Sequence, residues 1–303
     1  MDSHQAYQSN FNSDGSETVA YNNPLFPAYI RFGRLSYYPD YSAISHWHTD
    51  LEFVSIMKGE MTYNVNGKLI TLKEGSGIFV NSRQLHYGFS HCRQECEFIC
   101  ILLSPELLSG NRWFYENYIL PVIRNSSQPY LLLDRGENRQ RAILDYLGAM
   151  YRLCGDGAFT SDGYFVVLET FSAVMKTLYQ IIPKEKVSEQ KESADLVSLR
   201  QMIRYVEEHS AEHITVEQIA AAGMCCRSKC AALFRAYLYD TPISYTTKLR
   251  LRKSLTALLD SDQSVTEIAF SYGFGGTSYF CETFHRYYGM SPLQYRKQLR
   301  IRP

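Results

Sequence analysis

Three histidines and one glutamate have side-chain types and a spacing that could do chemistry. His46 and His48 lie two residues apart, Glu52 follows four residues later, and His86 lies in the segment N-S-R-Q-L-H. Such imidazole and carboxylate groups can hold a divalent metal with an open position, as a metal-dependent enzyme requires. They can equally hydrogen-bond a small polar effector without a metal, or satisfy one another in a domain that binds nothing. These residues alone leave the three interpretations open.

A pocket for a small polar effector is the interpretation that we favour. Trp47 and Tyr63 are then the candidate walls of the pocket. No metal, other cofactor or catalytic residue is expected. If a metal does bind, the two histidines, the glutamate and His86 are its candidate ligands, and a metal-dependent enzyme is the alternative.

Short strands have to bring these side chains together. Over residues 29–103, β-rich segments alternate with turn residues, and the pair Asn66-Gly67 is a strong hairpin signal. Five or more short strands at this spacing predict a barrel or jelly roll. Because residues two apart on a strand face the same side, His46 and His48 are expected to point together into the barrel lumen.

This region resembles the cupin fold. The His-x-His spacing, Glu52 and Gly59 match the first cupin motif, and Gly75 and His86 match part of the second. Residues 82–83 are Ser-Arg, where the second motif usually has Pro-Gly, so the resemblance does not imply a fixed metal.

The pattern becomes helical between residues 105 and 183. Apolar residues at positions 164, 168, 171, 175 and 178 recur at four-three spacing after an earlier apolar stripe, which predicts a helical hairpin. The second stripe either packs within its own domain or meets its copy in a second subunit. The candidate dimerisation residues of a homodimer are Leu168, Phe171, Met175 and Leu178.

Composition divides the 303-residue chain into two domains joined by a linker. Residues 1–24 are polar and are expected to be mobile and without function. Residues 25–182 are the predicted sensing and dimerisation domain, residues 183–195 an exposed linker, and residues 196–303 the second domain. The predicted fold class is α+β with two domains, a cupin-like β-barrel with a helical hairpin followed by an all-α domain.

Charge and hydropathy exclude some classes of protein. The net charge is zero, but residues 194–303 carry 14 Lys+Arg against 10 Asp+Glu. An excess this small does not establish a nucleic-acid partner. The lack of an apolar run of about 18 residues and of a signal-peptide pattern predicts a soluble, cytoplasmic protein with no membrane partner. Eight cysteines without a disulfide framework fit a reducing compartment.

The segment 264–296 predicts a helix, a tight turn and a second helix. Ser264 and Glu267 form a capping box, so the first helix should begin there. Gly273 ends it. The second helix is expected over residues 277–288 and ends at Gly289.

A weaker copy of this motif lies 49 or 50 residues upstream. Thr215 and Gln218 form its capping box. Between the copies, residues 243–259 predict a helix about 25 Å long at 1.5 Å per residue. A helix of this length can separate two helix-turn-helix units, at about residues 196–242 and 243–300, by one turn of B-DNA, which is about 34 Å.

Residues 196–300 resemble the DNA-binding domain of AraC-type (AraC/XylS) transcription regulators. The resemblance rests on the ordered blocks I-A-F-S-Y-G-F, S-Y-F and F-H-R-Y-Y-G-M-S-P-x-x-Y-R, and the full chain resembles the family's ligand-responsive members. In the first repeat, Cys226 stands where the family usually has a serine cap, and Tyr239 replaces the usual terminating glycine. The resemblance implies partners: double-stranded DNA, RNA polymerase, a small-molecule effector and a second copy of the chain.

The resemblance also implies which residues meet DNA. The candidate base-reading positions are Thr277, Ser278 and Glu282 in the second unit, and Ser228, Ala231 and Ala232 in the first. Because alanine cannot hydrogen-bond a base edge, the first unit is expected to read bases weakly. Glu282 either accepts a hydrogen bond from a cytosine amine or pairs with Arg286. The candidate phosphate contacts are Arg227, Lys229, Arg235, His285, Arg286 and Arg296.

These features predict a sequence-specific transcription regulator, an activator by resemblance, that responds to a small polar effector such as a sugar. Effector binding is expected to shift the equilibrium between domain arrangements. The DNA-binding domains of a dimer, each with two helix-turn-helix units that we call its readers, can then engage DNA together. The alternative is a metal-dependent cupin enzyme with a DNA-binding tail.

Overall fold

The structure is a computed structural model that describes residues 10–12, 16–155, 159–183 and 193–300. It divides into two compact units at residues 192–193. Most of the predicted linker, together with residues 1–9 and 13–15 of the predicted mobile N-terminus, lies outside the described residues.

Strands dominate the first unit. They are β1 Asn10–Phe11, β2 Glu17–Thr18, β3 Ala28–Arg34, β4 Leu51–Val65, β5 Lys68–Lys73, β6 Gly77–Val80, β7 His86–Phe89, β8 Cys96–Leu103 and β9 Tyr130–Leu133. β1 pairs with β2, and the other seven form one sheet in the order β3-β8-β4-β6-β9, with β5 and β7 also paired to β4. Except for the last, these seven strands lie in the segment where the sequence predicted them.

β4 closes the barrel because it belongs to both halves of the sheet. Its first part pairs with β6 and β8, and its second part pairs with β5 and β7. Between the two parts lies Gly59, whose φ of +81° is one that side chains rarely adopt. A Cβ at this position would lie 2.6 Å from the carbonyl oxygen of Glu95. The strand turns here, and the predicted cupin-like barrel is confirmed.

Both faces of this sheet are buried. Along β4, Leu51 and Phe53 belong to the cluster that packs against the helices. Val54 and Ile56 belong to a separate cluster on the inner side of the barrel. Because side chains alternate along a strand, Glu52 also faces the lumen.

Four helices complete the first unit, and two of them form the predicted hairpin. They are α1 Arg112–Phe114, α2 Leu120–Ile123, α3 Asn138–Cys154 and α4 Ser161–Ile181. On α4, Phe171, Met175 and Leu178 are at most 2% exposed and lie in the core of their own domain. The prediction that these three form a dimer contact is therefore wrong, because four-three spacing alone does not distinguish a core from an interface. Leu168 is half-buried and stays a candidate.

In the second unit, the described residues form helices and no strand. They are α5 Ala194–His209, α6 Val216–Ala222, α7 Arg227–Leu233, α8 Pro242–Asp260, α9 Val265–Ser271, α10 Thr277–Tyr288 and α11 Pro292–Arg300. Both predicted capping boxes are present, at Thr215 before α6 and at Ser264 before α9. The helix pairs α6–α7 and α9–α10 are the two predicted helix-turn-helix repeats, joined by the long helix α8.

The two repeats meet at the end of α5. Gly273, in the turn of the second repeat, has a φ of +78°, and a Cβ there would lie 2.8 Å from the Ala211 carbonyl oxygen and 2.9 Å from that of Ser210. Arg250 on α8 donates to the carbonyl oxygens of Ser210 and Glu212 at 2.6 and 2.5 Å. α5 itself packs against α6 and α7 of the first repeat, so the first repeat, α8 and the turn of the second repeat all contact α5 or the segment that follows it.

Within the parts of the chain that the structure describes, no helix has the length and apolar character needed to cross a membrane. The longest helix, α4, has 21 residues and exposes Glu169 and Lys176.

Candidate functional site

Glu52 lies at the centre of a polar cluster inside the barrel. Its Oε2 atom lies 3.0 Å from His48 Nε2 and 2.8 Å from His86 Nε2. The Tyr63 hydroxyl donates to its other carboxylate oxygen. These four side chains are at most 4% exposed. The potential ligand atoms of His46, His48, Glu52 and His86 all lie within 4.8 Å of one another, so the four residues singled out by their spacing do come together.

Backbone carbonyls set the orientation of the three imidazoles. Each Nδ1 lies within hydrogen-bonding distance of a carbonyl oxygen two residues away, at 2.7 Å for His46, 3.2 Å for His48 and 2.8 Å for His86. Because a carbonyl oxygen can only accept, Nδ1 carries the proton in each ring. The Nε2 atoms are therefore the ones presented to carboxylates.

Opposing influences set the ionisation of the cluster. Burial acts to raise the pKa of Glu52, but the imidazoles of His86 and His48 hold that pKa well below its ordinary value. Burial acts to lower the pKa of His48, yet its hydrogen bond to Glu52 raises that pKa overall. Burial lowers the pKa of His46 despite the attraction of Glu17. The cluster thus favours an ionised Glu52 beside a protonated His48.

The same donor set fits a divalent metal. Three imidazole nitrogens and one carboxylate oxygen are ligands that zinc, iron and manganese accept, and a hydrogen bond on the far side of each ring is the usual support for metal-ligating histidine. If an ion binds here, His46, His48, Glu52 and His86 would hold it. It would supply an electrophilic centre to which an oxygen-containing ligand could bind.

The N-terminal segment contributes a carboxylate that the sequence analysis missed. Glu17 Oε2 lies 3.2 Å from His46 Nε2, and the Glu17 amide donates to the Trp47 carbonyl oxygen at 2.8 Å. The Tyr21 hydroxyl donates to Asp50 Oδ1 at 2.9 Å. The prediction that this segment is mobile is thus wrong for residues 16–24, which pack against the barrel, and the expectation that it has no function stays a prediction. No local signal marks Glu17, because its partners lie about 30 residues away in an unrelated segment.

The two predicted pocket walls differ. Tyr63 binds Glu52 directly, as described above. Trp47 is 7% exposed and pairs with the N-terminal segment through its backbone. Its role as a pocket wall therefore stays a prediction.

The predicted DNA-facing residues lie on α7, on α10, in the π-helical turn Phe234–Leu238 that continues α7, and, for Arg296, on α11. Exposed side chains in the second repeat are Ser278, Glu282, His285 and Arg286, and in the first repeat Arg227, Ser228, Lys229, Ala232 and Arg235. Thr277 and Ala231 are half-buried. The two repeats also share an inward position, because Cys230 and Phe280 are both fully buried. Each repeat therefore presents one polar helix face to solvent.

Several of these charged residues form surface ion pairs. Arg286 lies 3.0 Å from Glu282, which is the pairing alternative left open by the sequence. Arg227 lies 3.0 Å from Glu217, and Lys229 lies 2.8 Å from an aspartate on α5. Exposed pairs of this kind contribute about 1 kcal/mol or less, so a DNA phosphate can replace the carboxylate partner.

Arg296 has a different position from the other predicted phosphate contacts. Its Nε donates to the Leu258 carbonyl oxygen at 2.8 Å, and its Nη2 donates to that of Gln263 at 2.7 Å. The side chain is half-buried and closes the C-terminal end of α8. The structure thus gives this guanidinium a role within the chain, and its contact with a phosphate stays a prediction.

Comparison with known proteins matches each unit separately. The sequence model of the AraC-like ligand binding domain matches residues 31–157, and that of a helix-turn-helix domain matches residues 219–298. The HTH-type transcriptional regulator YdeC of Bacillus subtilis is 31% identical over 252 residues, which are 83% of this chain and 85% of that protein. The chain belongs to the AraC family of transcription regulators. The predicted family is confirmed.

Other proteins match at lower identity. The transcriptional activator RhaS of Klebsiella pneumoniae is 25% identical over 286 residues, which are 92% of this chain and 97% of that protein. Among solved structures, ToxT from Vibrio cholerae is 14% identical, with 90% of this chain and 98% of that chain covered at a TM-score of 0.42. In this AraC-family chain, the cluster around Glu52 lies inside the ligand-binding domain, and α7 and α10 lie inside the DNA-binding domain.

Tyr239 is a strained position in the first reader of this AraC-family protein. It ends the recognition helix with a φ of +52°, where Gly289 ends the second with +75°. We expect Tyr239→Gly to stabilise the DNA-binding domain by about 0.5–1 kcal/mol, because glycine adopts this conformation without the penalty of a Cβ. Urea denaturation followed by far-UV circular dichroism measures the change.

Gly289→Ala is the reverse control in the second reader. It should destabilise the domain by about 1 kcal/mol. No atom lies within 4 Å of the added methyl group, so the only cost is that of placing a Cβ in the left-handed backbone conformation. Equal or lower stability of the Tyr239→Gly variant relative to wild type would contradict the assignment of strain.

Proposed function

We propose that this AraC-family regulator is a transcription activator whose DNA binding is controlled by a small polar effector at the Glu52 cluster. The observation that carries the proposal is a buried, charge-compensated set of one carboxylate, three imidazoles and a phenol inside the ligand-binding domain. Its relatives named RhaS are activators, which supports activation rather than repression. No catalytic residue is assigned, because the relatives are transcription regulators.

The cluster suits a ligand that offers hydroxyl groups. Glu52 is an acceptor, and the protonated His48 and the Tyr63 hydroxyl are donors, so a polyhydroxylated molecule could replace the internal hydrogen bonds with its own. A ligand shifts the equilibrium between two domain arrangements only as far as it binds one of them better. Exchange of the Glu17–His46 contact is one way for the ligand to favour one arrangement.

On the DNA side, we propose unequal readers within a homodimer. Ser278 and Glu282 on α10 offer polar groups to base edges, whereas Ala232 on α7 does not. The second reader then supplies most of the base discrimination, and the first mainly holds the backbone. RNA polymerase is the proposed partner for activation, and pairing of two chains adds avidity at a repeated operator.

A screen of the full-length chain tests the effector proposal. Sugars and other small polar compounds are added in a thermal-shift assay, and each compound that binds is tested for its effect on operator affinity and on transcription with purified RNA polymerase. We expect at least one compound to do all three, and Glu52→Gln to abolish its effect. If no compound that binds the chain changes operator affinity, effector control is refuted.

Arg235 provides a test of the backbone-contact proposal. Arg235→Ala should weaken binding to all DNA sequences alike and lower the slope of log affinity against log salt by about one unit, because one phosphate contact is lost. Arg135→Ala, which removes an exposed arginine from the sensor domain, is the matched control. An unchanged salt slope for the Arg235 variant would place this residue away from the phosphates.

We infer a second candidate for the same cluster, a divalent metal ion. The specific support is the convergence of three Nε2 atoms with Nδ1 protons held by carbonyls. In the enzyme alternative such an ion would act as a Lewis acid, and in a regulator it would be the effector or would help to bind it. The chain is incubated with iron, manganese or zinc and dialysed, and its metal content is then measured. This measurement distinguishes both metal-bound forms from a metal-free pocket.

A matched pair of histidine variants makes the metal test specific. Stoichiometric metal that is lost in His48→Ala but retained in His91→Ala, an exposed histidine on the same domain, would support the metal. Absence of bound metal from the wild-type chain under the same conditions would remove this candidate and leave the metal-free effector pocket.

A further inference from the structure

Arg31 lies on the lumen side of the barrel, one row of side chains away from Glu52. On β3 it alternates with Ile30, which packs in the core beneath the helices, so it faces the opposite side. In the sheet register, Arg31 lies opposite Cys100 on β8, and Cys100 lies opposite Val54 on β4. Val54 belongs to the lumen cluster, which confirms the face.

Electrostatic contacts place this arginine in the same environment as the cluster. The Arg31 guanidinium lies 5.3 Å from the centre of the Tyr29 ring. Burial raises the pKa of Tyr29, with Cys100, Glu17 and Glu52 adding to the rise and Arg31 opposing it. Both the cation and the cluster carboxylates therefore act on one phenol.

Arg31 differs from its neighbour Arg34 in having no carboxylate partner among the described residues. Its Nη1 donates to the carbonyl oxygen of Ile30 at 3.0 Å, and the ring of Tyr29 covers one face. Arg34, on the opposite side of the strand, pairs with Glu97 at 2.8 Å. Arg31 is half-buried, and most of its five N–H donors remain available to a ligand.

The carboxylates near the lumen are already matched. Glu52 is bound by His48, His86 and Tyr63. Glu17 is bound by His46, and Asp50 by Tyr21, with burial raising the pKa of Asp50. Each of these carboxylates thus has a polar side-chain partner, whereas the Arg31 cation has no carboxylate partner among the described residues. A ligand complementary to Arg31 therefore brings a negative group.

We propose that the effector is a small hydroxylated acid whose carboxylate binds Arg31 while its hydroxyl groups bind the Glu52 cluster. This inference rests on the proposed effector function of the same domain and adds the charge of the effector. A planar guanidinium binds a carboxylate through two parallel hydrogen bonds, which gives both affinity and orientation.

The register gives the scale of this ligand. β3 and β4 are separated by two strand spacings, or about 10 Å, and lumen-facing rows repeat about every 6.7 Å along a strand. The backbone positions of Arg31 and Glu52 are therefore about 12 Å apart before the two side chains extend toward each other. A molecule with its acid and hydroxyl groups at opposite ends can bridge this distance.

Matched pairs of sugars and their acids test the proposal on the full-length chain. D-glucuronate is compared with D-glucose, and D-galacturonate with D-galactose, by titration calorimetry and by the shift in the unfolding midpoint. We expect at least one acid to bind about tenfold or more tightly than its neutral partner. Arg31→Gln should remove this preference, and Arg34→Gln should keep it. Arg31→Lys, which retains the charge, should keep part of it and controls for folding.

The outcomes separate this inference from the function on which it rests. Neutral sugars that bind as tightly as the acids, or full acid affinity in the Arg31→Gln variant, would overturn the anionic effector while leaving effector control intact. Failure of every acid to bind would also overturn it. The proposed function itself fails only if no compound of the broad screen binds the chain and changes operator affinity.

Discussion

Glu52→Gln should destabilise the sensor domain by about 3 kcal/mol, because it removes the carboxylate charge that compensates the buried, protonated His48. Glu52 is 4% exposed and is hydrogen-bonded to His48, His86 and Tyr63. Both tryptophans of the chain, Trp47 and Trp113, lie in the first unit. Denaturation followed by tryptophan fluorescence therefore reports on the sensor domain alone.

The same variant should lose a characteristic pH dependence. The pKa of Glu52 is depressed from 4.5, so its contribution to stability is present above that pH and is lost as the pH falls through the folded value. The pKa of His48 is raised from 6.5, so its contribution is full below that pH and is lost as the pH rises through the folded value. The wild-type domain should thus gain most from this pair between about pH 4.5 and 6.5.

Two controls make this result interpretable. The protein is dialysed against a chelator, so that no metal contributes to the stability of the cluster. Glu97→Gln removes a half-exposed carboxylate that pairs with Arg34, and it should cost less than about 1 kcal/mol with no change in the pH profile. Unchanged stability and an unchanged pH profile in the Glu52→Gln variant would show that the four side chains do not act as one network.

Gly273→Ala is expected to destabilise the DNA-binding domain by about 3 kcal/mol. The left-handed backbone costs about 1–2 kcal/mol with any Cβ. The added methyl group would also lie 2.8 Å from the Ala211 carbonyl oxygen, and relief of that overlap costs about 1–3 kcal/mol. Far-UV circular dichroism during urea denaturation measures the loss.

Two other glycines of the second repeat separate these contributions. Gly289→Ala carries only the backbone cost, because no atom lies within 4 Å of its Cβ. Gly275→Ala has neither a positive φ nor a close neighbour and should be close to neutral. If Gly273→Ala costs no more than Gly289→Ala, the contact between the second repeat and the end of α5 contributes little.

Local patterns allowed much of this molecule to be predicted. The capping boxes at Thr215 and Ser264 mark helix starts because their partners lie three residues away. His46, His48 and Glu52 were found because a short stretch of chain carries three of the four cluster residues. The repeat revealed two helix-turn-helix units, and the resemblance of the ordered sequence blocks to AraC-type regulators identified them as a DNA-binding domain.

The features that escaped prediction depend on distant partners. Glu17 lies in an aperiodic polar segment, and only the folded chain brings it to His46. The spacing of Phe171 is the same whether it packs in its own core or against a second subunit. Arg296 has the same side chain as a phosphate contact, and its two carbonyl acceptors belong to a helix end more than 30 residues away.

The contact between Gly273 and the end of α5 has a consequence for the DNA that the protein can occupy. Two readers that could rotate independently would accept recognition elements at variable separations. Readers packed against one segment require a constant number of base pairs between their elements, since each added pair rotates the second element around the duplex by about a tenth of a turn. We therefore expect the operator of one chain to have a fixed number of base pairs between its two recognition elements.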